Sequence, residues 1–134
     1  MRDRSTRKLE RPAGEAGFAH FLAKFRASLV AVSGGAEGTE IPLDQRRLTI
    51  GRGPGVDWAF ESDSLSRQHA SIEFGRDGFW IRDLGSTNGV EVNGERVESS
   101  ALHHGDRCTL GDQGFQMVIE ERDSEARTWV VPEV

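Results

Sequence analysis

Residues 90–97 read Val-Glu-Val-Asn-Gly-Glu-Arg-Val, and they give the clearest indication of local structure in the chain. Val90 and Val92 alternate with a glutamate, which is typical of a strand with one buried face. Asn93-Gly94 accepts the positive φ angles of a tight primed turn. The stretch therefore predicts a β-hairpin.

The same pattern of short apolar runs separated by turn residues extends over most of the chain from Ser28 onward. Further hairpins are predicted between residues 29–32 and 39–43, 71–74 and 79–81, and 107–110 and 115–119. Regularly spaced short strands favour an all-β sandwich or barrel.

The N-terminal region follows a different pattern. Residues 1–11 contain five basic and two acidic residues and little apolar content, which predicts a mobile basic tail. An apolar stripe at helical spacing then predicts a short amphipathic helix near residues 15 to 26; it consists of Phe18, Phe21, Leu22 and Phe25. This stripe either packs on its own sandwich, the reading we favour, or docks on a partner or a second copy.

The length of 134 residues suits one domain with tails. We assign residues 1–27 to the basic tail and amphipathic helix, 28–121 to the β domain and 122–134 to a C-terminal extension. Within that extension, residues 129–131 are apolar enough to pack back on the sheet.

Composition excludes several classes of protein. The formal net charge of -5 argues against a surface built for nucleic acid, which would be basic. No apolar run approaches the ~18 residues of a membrane span, and the N-terminus lacks the apolar core of a signal peptide. A single cysteine, Cys108, rules out an intramolecular disulfide, so we expect a cytoplasmic protein.

Three short polar segments fall between predicted strands, where a rigid sandwich presents binding residues. They are Gly51-Arg52, residues 66–70 (Ser-Arg-Gln-His-Ala) and residues 84–89 (Leu-Gly-Ser-Thr-Asn-Gly). Arginine offers a fork of N–H donors to phosphate oxygens, hydroxyls donate short hydrogen bonds, and loop N–H groups complete such a cradle. Each segment alone is an ordinary turn, but together their residue types match a phosphate receptor.

In this order the segments resemble the forkhead-associated (FHA) family, whose pattern is Gly-Arg at a strand end, Ser-Arg-x-His, and Ser-Thr-Asn-Gly followed by Asn-Gly. The similarity spans about residues 28–120 and includes Gly105-Asp106. The family often has threonine where this chain has Val90, a residue that suits a strand. The resemblance implies an FHA-like β-sandwich of about eleven strands with a short N-terminal amphipathic helix and flexible tails.

The resemblance also implies a function: an adaptor that binds phosphothreonine in partner proteins, which a Ser/Thr protein kinase has phosphorylated. It assigns the phosphopeptide contacts to Arg52, Ser66, Arg67, Thr87 and Asn88. Arg52 and Ser66 would hold the phosphate, and Arg67 would add a basic contact. Thr87 would approach the phosphate from the opposite loop, and Asn88 would grip the peptide main chain. It assigns structural support of the site to Gly51, His69 and Gly89.

Two alternatives belong to other functional classes. One is a structural or scaffold FHA domain that no longer binds phosphate; such domains usually lose the arginine or the serine, and this chain keeps both. The other is a hydrolase or phosphatase, for which we find no catalytic motif. We therefore predict neither catalysis nor a cofactor or metal, and we interpret His103-His104 as a loop pair because no ligand completes a metal site at usable spacing.

The basic tail suggests one further partner. Thr6 lies among basic residues, with Leu9 three positions later. Regulatory FHA proteins of some bacteria carry a phosphorylatable tail threonine that their own domain binds. The resemblance therefore raises self-inhibition through Thr6 as a hypothesis.

Overall fold

The computed structural model describes residues 15–76 and 78–122. This part of the chain contains one helix and eleven strands. They are α1 (Glu15–Lys24), β1 (Phe25–Ser33), β2 (Glu40–Pro42), β3 (Arg47–Gly51), β4 (Trp58–Ala59), β5 (Ala70–Gly75), β6 (Gly78–Asp83), β7 (Val90–Val92), β8 (Glu95–Val97), β9 (Ser99–Leu102), β10 (Arg107–Leu110) and β11 (Gln113–Glu121). The predicted all-β architecture is confirmed.

The strands form two sheets that pack face to face. The first has the order β2-β1-β11-β10-β7-β8, and the second has the order β4-β3-β5-β6-β9. Strand neighbours are antiparallel except for the short β3–β4 pair, which is parallel. Their inward side chains fill one core, whose fully buried members include Leu29, Ile50, Ile72, Ile81 and Phe115.

The predicted hairpins are present. β7 and β8 pair through Asn93 and Gly94, whose φ angles of 52° and 87° are both positive, as a primed turn requires. The hairpins β1–β2, β5–β6 and β10–β11 also form.

The N-terminal helix packs on its own sandwich, as favoured above. Phe18 is buried, and the Phe18 and Phe21 rings lie 5.0 and 5.2 Å from the ring of Phe74. The helix ends at Lys24, two residues before the predicted end, because Phe25 already pairs with Glu121 in the β1–β11 ladder.

β1 runs the length of the sandwich from the helix to the loops described below. It is nine residues long, or about 30 Å at ~3.3 Å per residue. At its far end the Gln113 side chain donates to the Gly34 carbonyl, joining the β1–β2 turn to the β10–β11 turn.

The predictions for the basic tail with Thr6, for the flexibility of both tails and for residues 129–131 lie outside the described residues. Within the described ranges, no helix is long and apolar enough to span a membrane.

Candidate functional site

Three loops meet at the end of the sandwich opposite the helix. They comprise residues 52–57 between β3 and β4, 60–69 between β4 and β5, and 84–89 between β6 and β7. Backbone hydrogen bonds join their bases: the His69 N–H donates to the Ile50 carbonyl (3.0 Å), and the Leu84 N–H donates to the His69 carbonyl (2.9 Å). All eight predicted site residues lie on these loops or at the end of β3 that leads into them.

Arg52 is exposed and is anchored from one side. Its Nε donates to the Leu65 carbonyl at 2.9 Å, and its backbone N–H donates to the Ser66 carbonyl at 3.0 Å. Within the described ranges, no carboxylate forms an ion pair with Arg52 or Arg67. The guanidinium of Arg52 is therefore oriented by the protein but keeps its Nη donors for a ligand.

Arg67 adds a second cation on the neighbouring loop. Its side chain runs beside Gly53, since a β-carbon on that glycine would lie 3.3 Å from Arg67 Cγ. Two exposed arginines without ion-pair partners in the described chain thus flank the loop after β3. The loops thus present two guanidinium groups to an anion although the protein as a whole is acidic.

Ser66 and Thr87 connect two of the loops. The Thr87 N–H donates to the Ser66 hydroxyl oxygen at 3.0 Å. Because that oxygen accepts this bond, its own hydrogen remains free to donate to an anion. The Thr87 residue is exposed, so its hydroxyl also faces solvent at the same place.

His69 is fully buried behind this pair of loops. Its Nδ1 accepts the Ser66 N–H at 3.0 Å, so Nε2 carries the hydrogen that is donated to the Gly89 carbonyl at 2.8 Å. The imidazole thereby satisfies one backbone group on each loop and fixes the distance between them. The predicted role of His69, structural support of the site, is compatible with these contacts and stays a prediction.

Two glycines are required, Gly51 by a close approach of backbone and Gly89 by its backbone conformation. A β-carbon at Gly51 would overlap the Arg67 carbonyl, so the end of β3 lies directly against the 60–69 loop. Gly89 has a φ of +82°, and a β-carbon there would overlap the guanidinium of Arg96. Glycine is the residue that tolerates both conditions.

Asn88 makes a contact that the resemblance did not supply. Its Nδ2 donates to the Ser64 carbonyl at 2.8 Å, so this amide ties the 84–89 loop to the 60–69 loop. The predicted grip on a peptide main chain stays a prediction.

Asp112, in the β10–β11 turn, braces the 60–69 loop. Its Oδ1 accepts the hydroxyls of Ser64 and, at 2.9 Å, Ser62, while its N–H donates to the Ser64 hydroxyl at 2.9 Å. The hydrogen bonds from Ser64 and Ser62 lower the pKa of the Asp112 carboxyl. The loop that carries Ser66 is therefore held by a charged carboxylate at neutral pH.

Sequence reasoning missed this brace because Asp112 is 48 residues from Ser64 and lies in what reads as an ordinary turn. A second missed support has a local signal. Asp83 Oδ1 accepts the Ser86 N–H at 2.9 Å, and the Ser86 hydroxyl accepts the Gly89 N–H at 2.8 Å. The i, i+3 spacing of these polar residues is that of side chains that shape a turn.

The histidine pair lies away from these loops. His103 Nδ1 is 3.6 Å from the Asp106 carboxylate, and His104 Nδ1 accepts the Ile119 N–H at 3.0 Å. Residues 15–76 and 78–122 contain no group of three or more His, Cys, Asp or Glu side chains that could hold a metal ion.

Comparison with known proteins places this geometry in a family. The sequence model of the FHA domain matches residues 48–111. The chain is 35% identical over 115 residues to the oxoglutarate dehydrogenase inhibitor of Corynebacterium jeikeium, which covers 86% of this chain and 76% of that protein. This chain spans 56% of the length of some other relatives.

Solved structures are similar as well, among them the following two. The FHA domain of the CT664 protein of Chlamydia trachomatis superposes with a TM-score of 0.64 at 35% identity, over 69% of this chain and 96% of that one. EmbR of Mycobacterium tuberculosis, solved in complex with a low-affinity phosphopeptide, gives 0.63 at 30% identity, over 77% of this chain and 29% of that one. With its two-sheet topology, its ordered loop motifs and these relatives, the chain belongs to the FHA domain family.

Proposed function

We propose that this FHA domain is a phosphothreonine-binding adaptor whose partners are proteins phosphorylated by a Ser/Thr kinase. The observation that carries the proposal is that Arg52, Arg67 and the Ser66 hydroxyl lie on adjoining loops. Arg52 donates to the Leu65 and Ser66 carbonyls, and the Thr87 N–H donates to the Ser66 hydroxyl oxygen. The two arginines and the Ser66 hydroxyl each have a donor free for an anion.

The donors suit a phosphate rather than a carboxylate or a neutral group. A phosphothreonine carries about -1.5 to -2 charges at neutral pH and three acceptor oxygens. The Arg52 Nη groups, the Ser66 hydroxyl and the Thr87 hydroxyl approach from different loops, which matches several oxygens on one tetrahedral centre. Charge-assisted bonds of this kind are about twice as strong as neutral ones.

The relatives support a regulatory role without catalysis. EmbR was solved with a phosphopeptide, and the Corynebacterium jeikeium protein bears the name of an enzyme inhibitor. We infer that this chain likewise acts by binding, in the cytoplasm, where a Ser/Thr kinase supplies the phosphorylated partner. A scaffold role that ignores phosphate would leave Arg52 and Arg67 without a function.

Titration with an oriented phosphothreonine peptide library, beside its unphosphorylated twin, tests the proposal. Arg52→Ala should abolish phosphopeptide binding, while Arg107→Ala, an exposed arginine on β10 away from the loops, should leave it unchanged. Melting temperature and circular dichroism verify that both variants fold. Undiminished affinity of a folded Arg52→Ala protein would refute the site, and equal affinity for phosphorylated and unphosphorylated peptides would favour the scaffold alternative.

Two further measurements characterise the ligand. Because the second pKa of the phosphate is about 6, affinity should fall between about pH 7.5 and pH 5.5. A phosphoserine peptide lacks one methyl group, whose burial contributes about 0.8 kcal/mol, or roughly fourfold in affinity. A larger preference for the phosphothreonine peptide would show that the phosphoserine peptide also fails to place its phosphate in the same geometry.

Thr6 remains a proposed internal ligand, and the fold constrains how it would bind. Thr6 precedes Glu15, the first residue of α1, by nine residues, so the intervening chain reaches at most about 30 Å. That is about the length of β1, which separates the helix from the loops. Binding within one molecule would therefore need a nearly extended segment, whereas binding between two molecules would not. A Thr6-phosphorylated tail peptide tests for binding, and sedimentation of the phosphorylated chain distinguishes dimers from self-bound monomers.

A further inference from the structure

Arg96, on β8, lies against the base of the 84–89 loop. A β-carbon on Gly89 would overlap Nε, Cζ and Nη2 of Arg96, so the guanidinium covers the backbone of that glycine. Arg96 is nevertheless exposed, and no ion pair joins it to a carboxylate of the described chain, although Glu91 is its cross-strand partner. An exposed guanidinium without an ion-pair partner can pair with a carboxylate from outside.

The Gly89 backbone beneath Arg96 is hydrogen-bonded through both its carbonyl and its N–H. The Gly89 carbonyl accepts the hydrogen bond from buried His69, and the Gly89 N–H donates to Ser86. Gly89 directly follows Thr87 and Asn88, the two residues predicted to meet the ligand on this loop. A peptide that contacts Asn88 would therefore pass within reach of the Arg96 side chain.

The two sides of this loop present different groups to a ligand. On one side Asn88 contacts Ser64, and Ser64 is bonded to the ionised Asp112. On the other side the Arg96 guanidinium lies over Gly89, with Glu95 next to it in sequence and Glu91 across the hairpin. Because neither glutamate forms an ion pair with Arg96, the guanidinium is the group on this side that can pair with an acidic side chain of a ligand.

We propose that Arg96 is a specificity-determining residue that pairs with an acidic side chain of the partner segment, a few residues from the phosphothreonine. The inference rests on the proposed function, since it concerns the same ligand. Exposed ion pairs contribute modestly, so we expect a preference of about two- to fivefold for the acidic residue, reduced at high salt.

A peptide scan tests the inference. The scan starts from one phosphothreonine peptide that binds. Each of the four residues on either side of its phosphothreonine is replaced in turn by aspartate and by lysine. Wild type, Arg96→Ala and Arg96→Glu are titrated with every peptide, and Arg107→Ala serves as a control for loss of an exposed arginine from the same sheet.

We expect aspartate to improve binding at one or two adjacent positions in the wild type and in Arg107→Ala. Arg96→Ala should lose that preference, and Arg96→Glu should prefer lysine at the same positions. A uniform loss across all peptides in both Arg96 variants would overturn the inference, because it would mean that Arg96 only covers Gly89. Wild-type binding without any acidic preference would also overturn it, while leaving phosphothreonine binding intact. If no phosphorylated peptide bound the wild type, the proposed function itself would fail.

Discussion

The backbone N–H of Thr87 donates to the Ser66 hydroxyl at 3.0 Å, across 21 residues of sequence. One oxygen atom thus links two loops and also presents a hydrogen to the proposed ligand. Ser66→Ala removes both functions. Because a hydrogen bond to a charged group contributes about 1.5–3 kcal/mol, we expect phosphopeptide affinity to fall about 10- to 100-fold by calorimetry.

The control for this variant is Ser99→Ala, an exposed serine on β9 outside the three loops. Both variants should melt close to the wild type, since neither empties a buried site. If Ser66→Ala bound as tightly as Ser99→Ala, the Ser66 hydroxyl would not contact the phosphate.

His69 should contribute mainly to stability. His69→Ala leaves the Ser66 N–H and the Gly89 carbonyl without their partner, and each unsatisfied buried group costs about 1–3 kcal/mol. We expect the free energy of unfolding in urea to drop by about 2–5 kcal/mol. His20→Ala, on the exposed face of α1, should change it by less than about 0.5 kcal/mol. Equal effects of the two substitutions would show that the imidazole is not a structural bridge.

Local sequence patterns predicted much of this fold. Asn93-Gly94 fixes the β7–β8 turn, and the alternating residues of β5 and β6 identify their pairing, because turn type and side-chain period are local properties. The order of the three motifs along the sequence identifies the loops that carry Arg52, Ser66 and Thr87.

Contacts between distant segments were not predictable in the same way. Strand β9, Ser99–Leu102, is short and half polar, and it exists because it pairs with β6. The Asp112 brace joins the β10–β11 turn of one sheet to the 60–69 loop of the other, which no local pattern encodes. Arg96 lies over Gly89 within the β7–β8 hairpin, and this contact depends on side-chain placement that the hairpin pattern alone does not give. The family resemblance implies the ligand contacts but neither of these neighbours.

The stabilising effect of Asp112 should depend on pH. Hydrogen bonds from Ser64 and Ser62 lower its pKa in the folded protein, so the unfolded state binds the proton more tightly. The contribution of Asp112 is therefore present at neutral pH and lost as the pH falls through its folded pKa. We expect Asp112→Asn to be less stable than the wild type at about pH 7 in urea, and the difference to shrink towards about pH 3.

Glu37→Gln, an exposed carboxylate in the β1–β2 turn, provides the comparison for Asp112→Asn. A stability difference that stayed constant with pH would assign the effect of Asp112→Asn to altered packing instead of lost charge.

Cys108 should be unreactive in the native protein. It is fully buried in β10, and burial, together with the nearby Asp106 carboxylate, raises the pKa of its thiol to about 12. Thiol reagents at about pH 8 should label it only after unfolding. Labelling kinetics with and without denaturant measure this, and rapid stoichiometric labelling of the folded chain would contradict the buried position.

Phe25, where β1 begins, pairs with Glu121, where β11 ends, so the chain enters and leaves the sandwich side by side. Phe25 and Glu121 lie a full strand length from the loops of the site. Sequence attached before or after the domain therefore starts behind the ligand face, and neither attachment point obstructs it. A module with both connections at its base can be inserted between other domains, or moved from one protein to another, while its ligand face stays open.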